Sequence, residues 1–164
     1  MWEIRGYYDL ASDLGLDEPY VTRGIATADV DGDGDLDFVY ANQWEDSYFY
    51  RNDSQGTGEF LDLKLLRNSN GSISEAIGAS VTVSLPDGRK LVAQVDGGNG
   101  HSGVRSSRLH FGLGKVSTDA ALPVEVQWRD TEGQPHQTSL LLAPGSHIVP
   151  LENMTKMASV SWSF

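Results

Sequence analysis

Short runs of alternating apolar and polar residues recur along this chain, broken by glycine, proline and aspartate. Leu61, Leu63 and Leu65 alternate with Asp62 and Lys64, Val81, Val83 and Leu85 share one face, and Val124, Val126 and Trp128 alternate with Glu125 and Gln127. A period of two puts successive side chains on opposite faces, so these runs predict half-buried strands. The second of these runs spans 79–85, and further strands are predicted at 24–28, 36–41, 47–52, 90–96, 108–113, 138–142 and 147–151. Pro86-Asp87-Gly88-Arg89, Thr131 to Pro135 and Pro144-Gly145 carry turn chemistry between them. Residues 9–16 suggest one short helical turn, 68–74 a polar loop, 97–103 a glycine-rich loop, and residues after 153 a tail. With few helical patterns, the expected class is all-β: a β-sandwich or open barrel with an N-terminal β-unit attached.

One segment departs from this alternation of core and surface. Asp29-Val30-Asp31-Gly32-Asp33-Gly34-Asp35-Leu36-Asp37 places five carboxylates in nine residues. Like charges this dense are unfavourable unless a cation sits among them, and all-oxygen donors suit a hard cation, calcium above magnesium. Counted from Asp29, positions 1, 3, 5 and 9 (Asp29, Asp31, Asp33, Asp37) offer carboxylate oxygen. Position 7, Asp35, offers its backbone carbonyl, and Gly34 at position 6 allows a sharp turn. The start matches an EF-hand, but position 12 is Tyr40 instead of a bidentate glutamate, and the flanks read as strands. The loop is therefore expected in a β-hairpin, closed by Asp37. The alternative is a solvated acidic turn without metal.

Composition narrows the function classes. The chain has 164 residues, 39% hydrophobic and 21% charged, ample for one domain with an appended unit. A net charge of −11 argues against a nucleic-acid partner, whose footprint is basic. The absence of cysteine excludes a disulfide scaffold, thiolate catalysis and Cys-ligated zinc. No apolar run approaches the ~20 residues that span a bilayer. The first residues lack the basic-then-apolar pattern of a signal peptide, so the expectation is a cytoplasmic chain or a trimmed piece of a longer secreted one.

Two groups of motifs carry a resemblance. Residues 23–37, from Arg23-Gly24-Ile25-Ala26-Thr27-Ala28 through the acidic loop, followed by Tyr50-Arg51-Asn52, resemble an FG-GAP/VCBS-type repeat. Four downstream motifs, in order, resemble the ASPIC/UnbV domain. They are Glu75-Ala76-Ile77-Gly78-Ala79-Ser80-Val81-Thr82-Val83, Gly97-Gly98-Asn99-Gly100, Arg108-Leu109-His110-Phe111-Gly112-Leu113-Gly114 and Val124-Glu125-Val126-Gln127-Trp128. Together they span roughly residues 20–152, in the arrangement of the cartilage acidic protein-like family. The resemblance implies a propeller-blade-like hairpin unit over 1–58, an ASPIC/UnbV-like β domain over 59–152 and a tail over 153–164. It also implies calcium binding, a secreted (extracellular or periplasmic) setting and, for most members, no assigned enzymatic activity. Some bacterial members lie in natural-product gene clusters, including enediyne-type ones. A propeller needs several blades and one calcium loop is visible, so the lone unit is expected to belong to a longer protein, or to pack on the ASPIC-like sheet or on another subunit.

Other motifs are weaker. Gly98-Asn99-Gly100-His101-Ser102-Gly103 satisfies G-x-G-x-x-G, but no helical pattern follows to face a pyrophosphate, and Ser102 lacks the G-x-S-x-G spacing of a nucleophile elbow. His101 and His110 are a candidate metal pair, against the plainer reading of His110 as a hydrogen-bonded strand residue. Arg105 and Arg108 are candidates for an anionic ligand, against simple salt bridges. Trp44, Tyr48 and Tyr50 follow the hairpin, with Tyr48 and Tyr50 on one face and Phe49 on the other. They suggest either an aromatic contact surface for sugar or protein, or packing against the downstream domain. The functional expectation is a non-enzymatic, calcium-binding extracellular module with a protein or matrix partner. The alternatives are a carbohydrate-binding sandwich using Trp44 and an enzyme or accessory protein of natural-product assembly using His101, Arg105 and Arg108.

Overall fold

The computed structural model describes residues 7–69, 72–98 and 106–151. Their strands are β1 (Thr22–Ala28), β2 (Asp37–Asn42), β3 (Tyr48–Tyr50), β4 (Glu59–Ser69), β5 (Ser72–Glu75), β6 (Ser80–Ser84), β7 (Lys90–Gln94), β8 (Leu109–Gly114), β9 (Leu122–Arg129), β10 (Pro135–Leu142) and β11 (Gly145–Leu151). The class is all-β, as expected, and the sheets form a sandwich-like arrangement without closing into a barrel. At residues 9–16 the chain makes hydrogen-bonded turns, Leu14 N–H to Leu10 O at 3.0 Å and Leu16 N–H to Ala11 O at 2.7 Å, which do not extend into a helix.

One sheet of the sandwich has the order β10-β9-β6-β7. Its two tight hairpins, β6–β7 and β9–β10, follow the turn signals. The other is organised around β4. One edge of β4 pairs with β11 in parallel; its opposite edge pairs with β8 over Glu59–Leu63 and with β5 over Leu66–Ser69. β5 corrects the polar loop expected at 68–74. Its four side chains are all exposed, so no hydrophobic alternation marks it, and only the β4 edge recruits it into a strand.

The core lies between these two sheets. Leu61, Leu63, Leu65, Leu109, Phe111 and Leu113 from one side meet Val81, Val83, Leu122, Val124, Val126 and Trp128 from the other. Each set alternates along its strand as the sequence pattern requires, and burying each large side chain contributes about 1.5–3 kcal/mol.

The remaining sheet, β1-β2-β3, is an antiparallel meander that contributes nothing to this core cluster. Ile25, Val39 and Phe49 are exposed on it. The unit meets the sandwich through the acidic β1–β2 loop. Gly34, buried at φ +94°, lies against the Phe60 ring of β4, and any side chain at this position would overlap that ring. Phe60 in turn stacks on His110 of β8, with centroids 5.7 Å apart.

Candidate metal centre and the junction beside it

The β1–β2 connection is held open by its own carboxylates. Asp29 accepts from the Gly32 N–H at 2.7 Å and the Gly34 N–H at 3.1 Å. Asp37 is 1% exposed and accepts from the Val30 N–H at 2.9 Å and the Asn52 N–H at 2.8 Å. The second bond ties the loop to the chain leaving β3. A buried carboxylate needs such donors, because an unsatisfied one is costly. Each of these oxygens keeps a further lone pair for a cation.

Ligand atoms of Asp29, Asp31 and Asp37 lie within 4.8 Å of one another. Two oxygens bound to one calcium at 2.3–2.6 Å can be at most about 5 Å apart, so this spacing fits a single hard cation. Asp33 and Asp35 lie outside that trio: Asp33 accepts the Asp35 N–H at 2.9 Å, and both face outward to differing degrees. The Asp31 carboxylate makes only a 3.4 Å contact with the Asp33 N–H, which leaves it the least committed of the three. Arg51 approaches Asp31 at 4.0 Å and Asp53 at 2.8 Å; the Asp53 hydrogen bond holds its guanidinium protonated more firmly still. Its charge offsets part of the loop's negative field without entering the trio.

Beneath the loop, where the hairpin unit abuts the sandwich, lies a cavity of about 630 Å³. Asp29, Gly32 and Leu36 form one wall, and Asp62, Arg108 and His110 another. Asp62 of β4 is buried on the outward face of its sheet and pairs with Arg108. Arg108 thereby makes the ion pair that one of its two expected roles requires, while still lining the cavity. His110 sits opposite Asp62 in the β4–β8 ladder, and its buried Nδ1 has no hydrogen-bond partner. His101, Ser102 and Arg105 lie outside the described residues, as do most of the G-x-G-x-x-G segment and the tail. Asp62, Phe60 and His110 were not singled out as a group. A charged residue in an alternating strand reads as a solvated face, and nothing local signals that a second unit covers it.

The aromatic residues of the hairpin unit stack largely on one another. Tyr48 and Tyr50 do share a face, with Phe49 exposed opposite. They are half-buried and lie outside the sandwich core cluster. Phe38 stacks on Tyr50 at 4.9 Å, Tyr40 lies 5.5 Å from both Tyr48 and Tyr50, and Tyr20 stacks on Tyr48 at 5.8 Å. The hydrogen bond to Tyr50 and partial burial push the Tyr40 hydroxyl up to about 12, and the bond to Tyr20 does the same for Tyr48. Trp44 stands apart at the β2–β3 connection, 92% exposed, with a positive φ of 66° that is unusual for a bulky residue.

A small hairpin sheet with an acidic loop, seated on a two-sheet β domain, defines a blade-plus-sandwich class of protein. Comparison with known families agrees with that geometry. The ASPIC and UnbV family model matches residues 69–154, and an FG-GAP-like repeat model matches residues 15–84. The chain belongs to the ASPIC and UnbV family, preceded by an FG-GAP-like repeat. This pairing is that of a propeller-associated, extracellular-type module. The FG-GAP-like match runs on through β4, β5 and β6, strands that the structure builds into the sandwich. No curated protein matches the chain. No helix among the described residues is long and apolar enough to cross a membrane.

Proposed function

We propose that this chain is a calcium-stabilised, non-enzymatic module for protein or matrix contact in an extracellular or periplasmic setting. Residues 1–58 would act as the calcium-loop unit and 59–152 as its β-domain support. The observation that carries this reading is the convergence of Asp29, Asp31 and Asp37 within 4.8 Å, with Asp29 and Asp37 already anchored by backbone N–H groups. Asp33 and the Asp35 carbonyl complete the proposed ligand set. When bound, calcium neutralises the loop's charge. The residues do the rest: Asp37 fixes the exit of β3, and Gly34 seats the loop on Phe60. Stiffening the loop thereby stiffens the contact between the two units. An affinity on the order of 10⁻⁴–10⁻³ M suffices for an extracellular module.

The exposed Trp44, beside the Tyr48 strand, is the proposed contact residue for a partner. Its full exposure also supports a second reading, carbohydrate contact, in which Trp44→Ala removes binding on a glycan array.

The main test is thermal unfolding with and without millimolar calcium. Calcium raises the midpoint of the wild-type chain in proportion to log concentration. Asp31→Asn removes the response while leaving the calcium-free midpoint nearly unchanged, since Asp31 contributes little to the loop's own hydrogen bonds. An unshifted wild-type midpoint would end the calcium reading.

A further inference from the structure

A second cavity lies on the sandwich, formed by β4, β9, β10 and the turn before β6. Its volume is about 540 Å³, within the range of small-molecule sites. Arg67, Trp128, Arg129 and His136 line it with Ile77 and Pro135. No Asp or Glu is among its described lining residues, so its formal charge is +2 from two arginines, in a chain of −11.

Its hydrogen-bond inventory is one-sided. Trp128 is 5% exposed, and its indole Nε1–H has no partner. The Arg67 Nε–H is likewise buried and without a partner, while Nη1 of the same guanidinium donates to the Arg129 carbonyl at 3.2 Å. Both orphans can only donate. Buried N–H groups without acceptors are costly, and such exceptions call for an explanation. Asp130, which bonds the lining residue His136 at 2.8 Å, also accepts from the Glu132 and Gln134 N–H groups at 2.9 and 2.8 Å.

We propose that this cavity binds a small carboxylic acid, whose two oxygens accept from Arg67 Nε–H and Trp128 Nε1–H. Two donors match the two oxygens of a carboxylate, and the Nε edge of a guanidinium is one that grips carboxylates in a bidentate fork. Ile77, Pro135 and the indole ring offer apolar cover for the carbon skeleton. A tetrahedral dianion such as phosphate has more acceptor oxygens than these two buried donors can satisfy. Both N–H groups are shielded from water in the present arrangement, so entry of the acid requires the Arg67 side chain to swing. Arg129, exposed at the rim, supplies attraction more than geometry.

The test follows the Trp128 indole N–H resonance, assigned by its loss in Trp128→Phe. The full chain, with calcium present, is titrated with sodium acetate, glutarate and glucuronate, and with chloride, sulfate and phosphate at matched ionic strength. The carboxylates shift this resonance saturably and chloride does not. Arg67→Gln weakens binding about tenfold or more. Arg67→Lys keeps the charge but lacks the planar fork, and it weakens binding nearly as much. It also serves if the Gln variant fails to fold. The proposal is overturned if no carboxylate gives a saturable shift or if chloride gives the same shift. It is equally overturned if sulfate or phosphate binds more tightly than every carboxylate, or if Arg67→Lys binds like wild type.

Discussion

In the sandwich, Leu61, Leu63 and Leu65 face Val124 and Val126 with no exposure above 2%. In the β1–β3 sheet the fully buried side chain is a carboxylate, Asp37. The first region is held by area removed from water, a non-directional force spread over many side chains. The second is held by a few directional bonds, from Asp29 and Asp37 to backbone N–H groups, and by a tyrosine-rich stack. A structure resting on few bonds loses much when one is lost. It also responds strongly to a ligand that joins them, whereas a dense core gains little from an ion. The difference is why the proposed cation site suits the hairpin unit.

That contrast can be broken most forcefully in the core. Leu63→Ala is expected to cost about 2–5 kcal/mol and to lower the denaturation midpoint of the sandwich, with calcium recovering little of it. Gly34→Ala attacks the seam between the regions. A methyl there meets the Phe60 ring at a backbone angle that alanine resists, so a loss of roughly 1–3 kcal/mol is expected. Combining it with Phe60→Ala relieves the clash, and a non-additive double-mutant cycle is the measurement that reveals it.

Asp37→Asn acts within the hairpin unit. Asparagine presents one oxygen and one N–H₂ to two N–H donors, so one bond is lost and one contact turns repulsive. The expected cost is about 1–3 kcal/mol, concentrated locally. Amide exchange at Val30 and Asn52 accelerates while exchange in β9 does not; equal acceleration in both regions would dissolve the comparison.

Smaller effects are readable by pH. The hydrogen bond from His136, aided by two backbone N–H groups, holds the Asp130 carboxyl below its ordinary value. A lowered folded value means the stabilisation is present above the unfolded carboxylate range and is lost as pH falls through the folded one. Urea midpoints of the wild type should therefore fall more steeply on acidification than those of Asp130→Asn. At the alkaline end, Tyr40 and Tyr48 should ionise near pH 12 in an ultraviolet titration. Because their folded values are raised, the stability they contribute is present below the ordinary tyrosine value and lost as pH rises through about 12. Tyr50→Phe should bring Tyr40 back down, since the Tyr50 hydroxyl is the leading cause of its shift.

Much of this was legible along the chain. Leucine at 61, 63 and 65 and valine at 124 and 126 announced their strands, because a period of two survives any tertiary arrangement that buries one face. The acidic loop announced itself too, because its donors lie within nine residues and local turn geometry alone brings them near one another. Other features had no local signature. β5 is exposed throughout, Ile73 included, and is a strand only because β4 offers it an edge. The parallel pairing of β11 with β4 joins residues more than eighty positions apart, and no turn signal encodes such a partner. Asp62, Arg108 and His110 meet under the loop because two separate units abut there.

Local chemistry, then, determined the strands, the turns and the acidic hairpin from sequence alone, since each depends on neighbours a few residues away. Only the tertiary structure decided where Phe60 docks, that β5 joins the edge of β4, and that Arg67 and Trp128 share a donor-lined cavity. Those outcomes depend on how strands and sheets meet in space. A residue's type constrains what it can bond, but the fold decides what stands opposite it.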